Sequence, residues 1–112
     1  MTEDAAIEAM QGPLESRISV TGRLAIASSP RLRELLMKAI RRGTSAVLVI
    51  DLSGLAYLDT SGVATLVEAA RVASTHGVRL RVLGLSGEPR MLAQIAELGA
   101  IFRAYGSDVE VA

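Results

Sequence analysis

The residues of this chain best suited to chemistry form the tetrapeptide Asp59-Thr60-Ser61-Gly62, which carries one carboxylate and two adjacent hydroxyls. It follows the most hydrophobic part of the chain and precedes apolar residues at helical spacing, so it is expected to open a helix. Amides at a helix N-terminus point outward with the positive end of the helix dipole and favour an anion. Two interpretations stay open: an exposed hydroxyl site next to an anion-favouring helix end, or an ordinary N-cap, for which Asp and Thr are common.

Other catalytic and metal-binding arrangements find little support in the sequence. The chain has no cysteine, which excludes disulfides, zinc-thiolate sites and cysteine nucleophiles. Its one histidine, His76, is the only possible base for a serine hydrolase, but it precedes Gly77 at a predicted helix end, where histidines interact with the last carbonyls. Neither a P-loop nor a GxGxxG fingerprint occurs. We therefore expect no catalytic residue, no cofactor and no metal, and a protein that is not an enzyme.

Two further polar pairs leave alternatives open. Asp51 and Asp59 flank a predicted turn, where they could face one another or serve as solvated or capping carboxylates. Arg79 and Arg81 alternate with apolar residues in a predicted strand, where they could bind phosphates or guard an exposed sheet face or edge.

Length and composition restrict the class of protein. The 112 residues suffice for one domain, and 50% of them are hydrophobic while only 3% are aromatic. The core must therefore be aliphatic, and a nucleic-acid surface that stacks bases on aromatic rings is not expected. No apolar run approaches the roughly 18 residues of a membrane span. The N-terminus is acidic where a secretory signal is basic, which predicts a cytoplasmic location.

Charge is unevenly distributed although the formal net charge is zero. All 12 basic residues lie between residues 16 and 105 together with six acids, whereas both ends of the chain are purely acidic. A basic body with acidic ends suits an acidic partner, and a normally solvated surface explains the pattern as well.

Helical and strand patterns alternate along the chain and predict an α/β domain with a four- to five-stranded mixed sheet. A flexible or short added segment is expected over residues 1–13, the domain over 14–105 and a polar tail over 106–112. The apolar run 46–50 predicts a central strand buried on both faces. The other predicted elements are strands over 14–21, 78–85 and 100–105, with 23–27 as a loop or short strand, and helices over 28–43, 59–77 and 86–99.

The segment Val49–Gly62, with the sequence VIDLSGLAYLDTSG, resembles the signature of STAS domains, the family of anti-sigma factor antagonists. The tetrapeptide Thr-Gly-Arg-Leu at residues 21–24, the helix over 63–76, the strand after Gly77 and the helix led by Pro89 extend the similarity over roughly residues 14–105. The resemblance implies a single STAS-like domain whose helices pack mainly on one face of the sheet.

The resemblance also implies a function and a partner. Stand-alone members are phosphorylated by an anti-sigma factor with serine/threonine kinase activity, on the hydroxyl directly after the motif aspartate, here Thr60. The unphosphorylated form sequesters this kinase, and the phosphorylated form releases it. Asp59, Ser61 and Gly62 would then surround the switch. The alternative is a cytoplasmic STAS subunit of an ABC transporter for phospholipid or organic solvent, whose partner is a permease or ATPase subunit.

One departure from the family concerns the expected partner. Antagonists usually carry Gly-Glu-Leu-Asp after the first strand, whereas this chain has Gly22-Arg23-Leu24-Ala25. Both acids are missing and one is replaced by a base. The departure predicts either a different partner or a chain that is not a kinase substrate.

Overall fold

The computed structural model describes residues 5–110, which form one five-stranded sheet and four helices. The strands lie in the order of the sequence, and only the first is antiparallel to its neighbour. The mixed α/β sheet predicted from the sequence is confirmed. The elements are β1 (Ala6–Met10), β2 (Glu15–Leu24), α1 (Ser29–Arg42), β3 (Val47–Leu58), α2 (Thr60–Thr75), β4 (Arg79–Leu83), α3 (Gly87–Ile95), α4 (Leu98–Ala104) and β5 (Asp108–Val109).

The core lies between the helices and one face of the sheet. Side chains alternate along a regular strand, so every second residue in β4 and in the first halves of β2 and β3 points to this face. Apolar residues three and four apart on the helices pack against them. The result is an aliphatic core with one aromatic ring, as composition predicted; it includes Ile18, Val20, Leu48, Ile50, Leu80 and Val82 from the strands and Leu32, Leu36, Ile40, Leu66, Ala70, Leu98 and Phe102 from the helices.

The opposite face of the sheet carries charged residues. Val49 of the central strand stands in register between Arg17 and Arg81, and it is only 2% exposed. The predicted burial on both faces of the strand is confirmed for Leu48, Val49 and Ile50, although Val49 lies outside the helix-packed core, where the long arginine side chains flank it instead of a helix. Arg79 and Arg81 form ion pairs with Asp108 at 2.9 and 3.5 Å, so they belong to a charged sheet face.

Strand β3 is longer than the sequence indicated. Residues 51–58 were expected to leave the strand, but they continue to pair with β2 as far as Leu58. The ladder absorbs two register shifts near Gly22. Extended chain therefore separates Asp51 from Asp59 by roughly 25 Å, and the two carboxylates do not face one another.

Both ends of the described chain contain strands that the sequence analysis missed. Ala6–Met10, within the segment expected to be flexible or a short helix, pairs with β2 because that strand has a free edge there. Residues 1–4 of this segment lie outside the described residues. Asp108–Val109, in the expected polar tail, pairs with β4, and residues 111–112 of the tail are not described.

The third and fourth helices also differ from expectation. Residues 100–104 belong to α4 rather than to a strand, and the helix break falls at Glu97, whose φ is 55°, not at Gly99. Pro89 and Ala93 are buried on the core side of α3, whereas Met91 and Ile95 are exposed. No helix within residues 5–110 is long and apolar enough to cross a membrane.

Candidate functional site

The candidate site lies where the carboxyl ends of β2 and β3 meet the start of α2. Asp59 is the single residue between β3 and α2, and its backbone N–H donates a hydrogen bond to the Leu24 carbonyl at 3.2 Å. Gly62 is buried against the same strand ends. A Cβ atom at Gly62 would lie 2.5 Å from Leu58 Cδ1 and 3.0 Å from Leu24 Cγ, so only glycine permits this close approach.

Asp59 is the N-cap of α2, so the capping interpretation of its carboxylate is correct. Its Oδ1 accepts hydrogen bonds from the backbone N–H groups of Ser61 at 2.9 Å and Gly62 at 3.1 Å, and also from the Ser61 hydroxyl. Its Oδ2 accepts a hydrogen bond from the Ile26 N–H at 3.2 Å. One carboxylate therefore joins the start of α2 to the loop between β2 and α1.

These contacts determine the charge of Asp59. Partial burial raises its pKa, but the hydrogen bonds from the Ser61 hydroxyl and from the backbone N–H groups of Gly62, Ser61 and Ile26 together outweigh that effect. The net result is a pKa below the ordinary value of an aspartate. Asp59 is consequently a fixed negative charge beside Thr60 at neutral pH.

The two adjacent hydroxyls have different surroundings. Thr60 is the exposed first residue of α2, and its hydroxyl makes no hydrogen bond to any of residues 5–110. The half-buried Ser61 donates to Asp59, and its Oγ lies 3.1 Å from the Oγ of Ser29. Thr60 therefore presents an available hydroxyl, while that of Ser61 is part of the local structure.

Residues of the loop between β2 and α1 reach the site, and sequence reasoning did not single out all of them. Ser28 occupies the N-cap position of α1, but its hydroxyl makes no cap hydrogen bond. It donates instead to the Arg23 carbonyl at 2.8 Å and accepts from the Ala25 N–H at 3.0 Å. Ile26 is 78% exposed beside Asp59. The motif at residues 21–24 pointed to this strand end but not to Ile26.

Arg23, the base that stands in place of a family acid, lies at the same end of the sheet. It is in register with Tyr57 on β3, and its guanidinium carbon lies 4.0 Å from the centroid of the Tyr57 ring. This is cation–π geometry, which holds the guanidinium over the ring. Arg23 is exposed and pairs with no acid among the described residues.

The surroundings of Thr60 contain no imidazole. His76 lies at the other end of the 16-residue helix α2, roughly 24 Å away along the axis, and its Nδ1 is 3.0 Å from the Val72 carbonyl. That contact with a terminal carbonyl is the one expected of it. Within residues 5–110 no group of three or more acids and histidines has the arrangement of a metal site.

Residues 7–111 match the STAS domain family. No curated protein matches the chain. Among solved structures, SpoIIAA in its unphosphorylated form has a TM-score of 0.70 and 20% identity, covering 96% of this chain and 89% of that chain. Bacillus SpoIIAA in the phosphorylated form has the same TM-score and identity, with coverages of 95% and 92%. An anti-sigma factor antagonist from Mycobacterium paratuberculosis has a TM-score of 0.71 and 19% identity, with coverages of 86% and 80%.

Proposed function

The chain belongs to the STAS domain family, and from that premise we propose that it is an anti-sigma factor antagonist. It binds an anti-sigma factor with serine/threonine kinase activity while Thr60 is unmodified, and it releases that partner when Thr60 is phosphorylated. The protein is a cytoplasmic binding module of bacterial transcription control and not an enzyme. The SpoIIAA-like fold supports the general class, and the local geometry of Thr60 supports the switch.

The observation that carries the proposal is the difference between Thr60 and Ser61. A kinase needs a hydroxyl that is exposed and free to react, and Thr60 offers one on the first residue of α2. Phosphorylation of Ser61 would break the hydrogen bond from its hydroxyl to Asp59 and the contact with Ser29. Thr60 can therefore accept a phosphate without loss of the cap.

The position of the phosphate explains why binding would change while the fold survives. A phosphothreonine adds about −1.5 to −2 charges and three acceptor oxygens. Asp59 already occupies the amides of Ser61 and Gly62, so the phosphate stays at the surface next to a second negative charge. A partner surface over Thr60 would have to desolvate both groups. A loss of about 2.8 kcal/mol corresponds to a roughly hundredfold weaker complex.

Mass spectrometry tests the modification site. The purified chain is incubated with ATP and the cognate kinase, or with lysate of the source organism, and the phosphate is located by fragmentation. We expect one phosphate on Thr60 of the wild type and of Ser61→Ala, and none on Thr60→Ala. Phosphate on Ser61 would move the switch by one residue.

Capture from the same lysate tests the partner. Wild type should retain an anti-sigma factor that Thr60→Glu loses, and Ser74→Glu, which adds the same charge near the far end of α2, should retain it. Equal capture by wild type and Thr60→Glu would contradict the switch. The absence of any phosphate, together with capture of a permease or ATPase subunit, would replace the proposal by the transporter-subunit function.

A further inference from the structure

The loop between β2 and α1 has a restrained backbone and presents an exposed aliphatic side chain. Ile26 is 78% exposed, and its backbone N–H donates to Asp59 Oδ2 at 3.2 Å. Exposed single apolar residues are common, but this one extends from a loop held on both sides. Because Thr60 directly follows Asp59 in the chain, this hydrogen bond places Ile26 near Thr60.

Hydrogen bonds around Ala25 restrain the same loop. The Ala25 carbonyl accepts from the Ser29 hydroxyl and the Ser29 N–H, both at 2.8 Å, and from the Ser28 N–H at 3.0 Å. The Ala25 N–H donates to the Ser28 hydroxyl. A loop whose backbone is held in advance loses little conformational entropy on binding, which is favourable for an anchor residue at an interface.

Arg23 adds a positive charge that the described residues leave uncompensated. Arg17, six residues earlier on the same strand, pairs with Asp51 at 3.1 Å, and Arg33 on α1 pairs with Glu68 at 2.7 Å. Arg23 instead lies over the Tyr57 ring, and no acid within residues 5–110 pairs with it. Stacking leaves the guanidinium N–H groups at the ring edge available to an acceptor from outside the chain.

We infer that Ile26 and Arg23 form a docking pair for an apolar pocket on the partner that carries a carboxylate at its rim. Ile26 would fill the pocket, and the stacked Arg23 would meet the carboxylate. This inference rests on the proposed function, because it assigns the pair to the partner that Thr60 controls. Family members that carry acids in place of Arg23 and Ala25 suit a partner with a basic group there. The partner of this chain would carry a carboxylate instead.

Site-specific crosslinking locates the surface in cells. A photo-crosslinking amino acid replaces the exposed Ala27, next to Ile26, and in a second strain it replaces Ala46, at the opposite end of β3 from Thr60. We expect the Ala27 position to crosslink the same protein that Thr60→Glu fails to capture, and the Ala46 position not to crosslink it. No crosslink from Ala27 to that protein overturns the inference.

Calorimetry with the identified, purified partner then measures each contact. We expect Ile26→Asp and Arg23→Glu each to weaken binding at least tenfold. Two matched controls, Leu14→Asp beyond the other end of β2 and Arg41→Glu in the last turn of α1, should bind like wild type. Replacement of the facing partner acid by Lys should restore binding to Arg23→Glu.

The outcomes separate this inference from the proposed function. Wild-type binding by Ile26→Asp or by Arg23→Glu, with binding lost in Thr60→Glu, overturns the docking pair and leaves the switch intact. Loss in both loop variants with no effect of Thr60→Glu supports the docking pair and contradicts the switch. Thermal unfolding should show that each variant is folded at the temperature of the binding experiment, because Ile26 is exposed and loss of the Arg23–Tyr57 contact costs only about 0.5–1 kcal/mol.

Discussion

Residues in register across β2, β3 and β4 form rows, and two neighbouring rows on opposite faces of the sheet differ in what shields them from solvent. Ile18, Ile50 and Val82 stand in register on the face that the helices cover. One residue earlier on each strand, Arg17, Val49 and Arg81 stand in register on the face without helices. The first row is buried by other elements of the fold, and the second is shielded by its own long side chains.

The difference shows what a continuous apolar run can and cannot predict. Residues 46–50 contain no polar residue, yet only one face of that segment packs against helices. The polar character of the other face is carried by the flanking strands, in Arg17 and Arg81. A substitution in the same strand should therefore have very different effects on the two faces.

The largest expected effect is on the helix-covered face. Ile50→Asp places a carboxylate in an aliphatic core with no cation, and we expect it to lower the free energy of unfolding by about 4 kcal/mol or more. Val49→Asp places the same group between Arg17 and Arg81, and we expect a loss of only about 1–2 kcal/mol. Urea denaturation followed by circular dichroism measures both. Equal losses would show that Arg17 and Arg81 do not compensate a carboxylate at position 49.

An intermediate effect is expected where α2 packs on the strand ends. Gly62→Ala forces a Cβ into Leu58 and Leu24, and overpacking of this kind costs about 1–3 kcal/mol. Gly99→Ala is the matched control, because the only neighbour of its Cβ within 4 Å is a side-chain nitrogen of Arg103 at 3.4 Å. Within α4 it should stabilise the protein by about 0.5–1 kcal/mol. If both substitutions raised, or both lowered, the free energy of unfolding, the packing described for Gly62 would be contradicted.

The sequence determined the parts of this fold that rest on local signals. Ser28-Ser29-Pro30 and Gly43 bound α1 because a proline near the helix start and a left-handed glycine at its end act locally. The start of α2 at residues 59–62 followed in the same way from the preference of Asp for the N-cap.

The features that the sequence did not predict depend on contacts between segments that are far apart in the sequence. Ala6–Met10 and Asp108–Val109 are strands because β2 and β4 offer free edges, which no local pattern reveals. The same holds for the candidate site. The motif was enough to propose Thr60, whereas the hydrogen bond between Ile26 and Asp59 joins residues 33 apart in the sequence and forms only in the folded chain. The stacking of Arg23 on Tyr57 likewise follows from strand register.

A smaller effect with a defined pH dependence is expected at Asp59. Its pKa is lower in the folded protein, so its charge stabilises the fold above the ordinary pKa of an aspartate, and this stabilisation is lost as the pH falls through the folded value. Asp59→Ala should cost about 1 kcal/mol at pH 7 and progressively less in acid. Asp59→Asn, which keeps a capping oxygen, should stay closer to wild type at pH 7. A difference between wild type and Asp59→Ala that grows on acidification would contradict this.

The smallest effect is expected for the ion pair on the helix-free face. Arg17 and Asp51 are 3.1 Å apart, but both side chains are partly exposed, and such pairs contribute about 0–1 kcal/mol. Arg17→Met keeps the apolar stem over Val49, so we expect the free energy of unfolding to change by no more than about 0.5 kcal/mol.

The Arg17–Asp51 pair also allows a test of what lowers the pKa of Asp51, because the charge of Arg17 is not the main cause. The hydrogen bond from the Ser53 backbone N–H at 3.0 Å lowers the pKa of Asp51 more than Arg17 does, and burial opposes it. NMR titration of wild type and Arg17→Met measures how much of the lowered pKa depends on Arg17. In Arg17→Met the pKa should stay below the ordinary value of an aspartate. A return to the ordinary value in Arg17→Met would mean that the charge of Arg17, rather than the local hydrogen bond, lowers the pKa of Asp51.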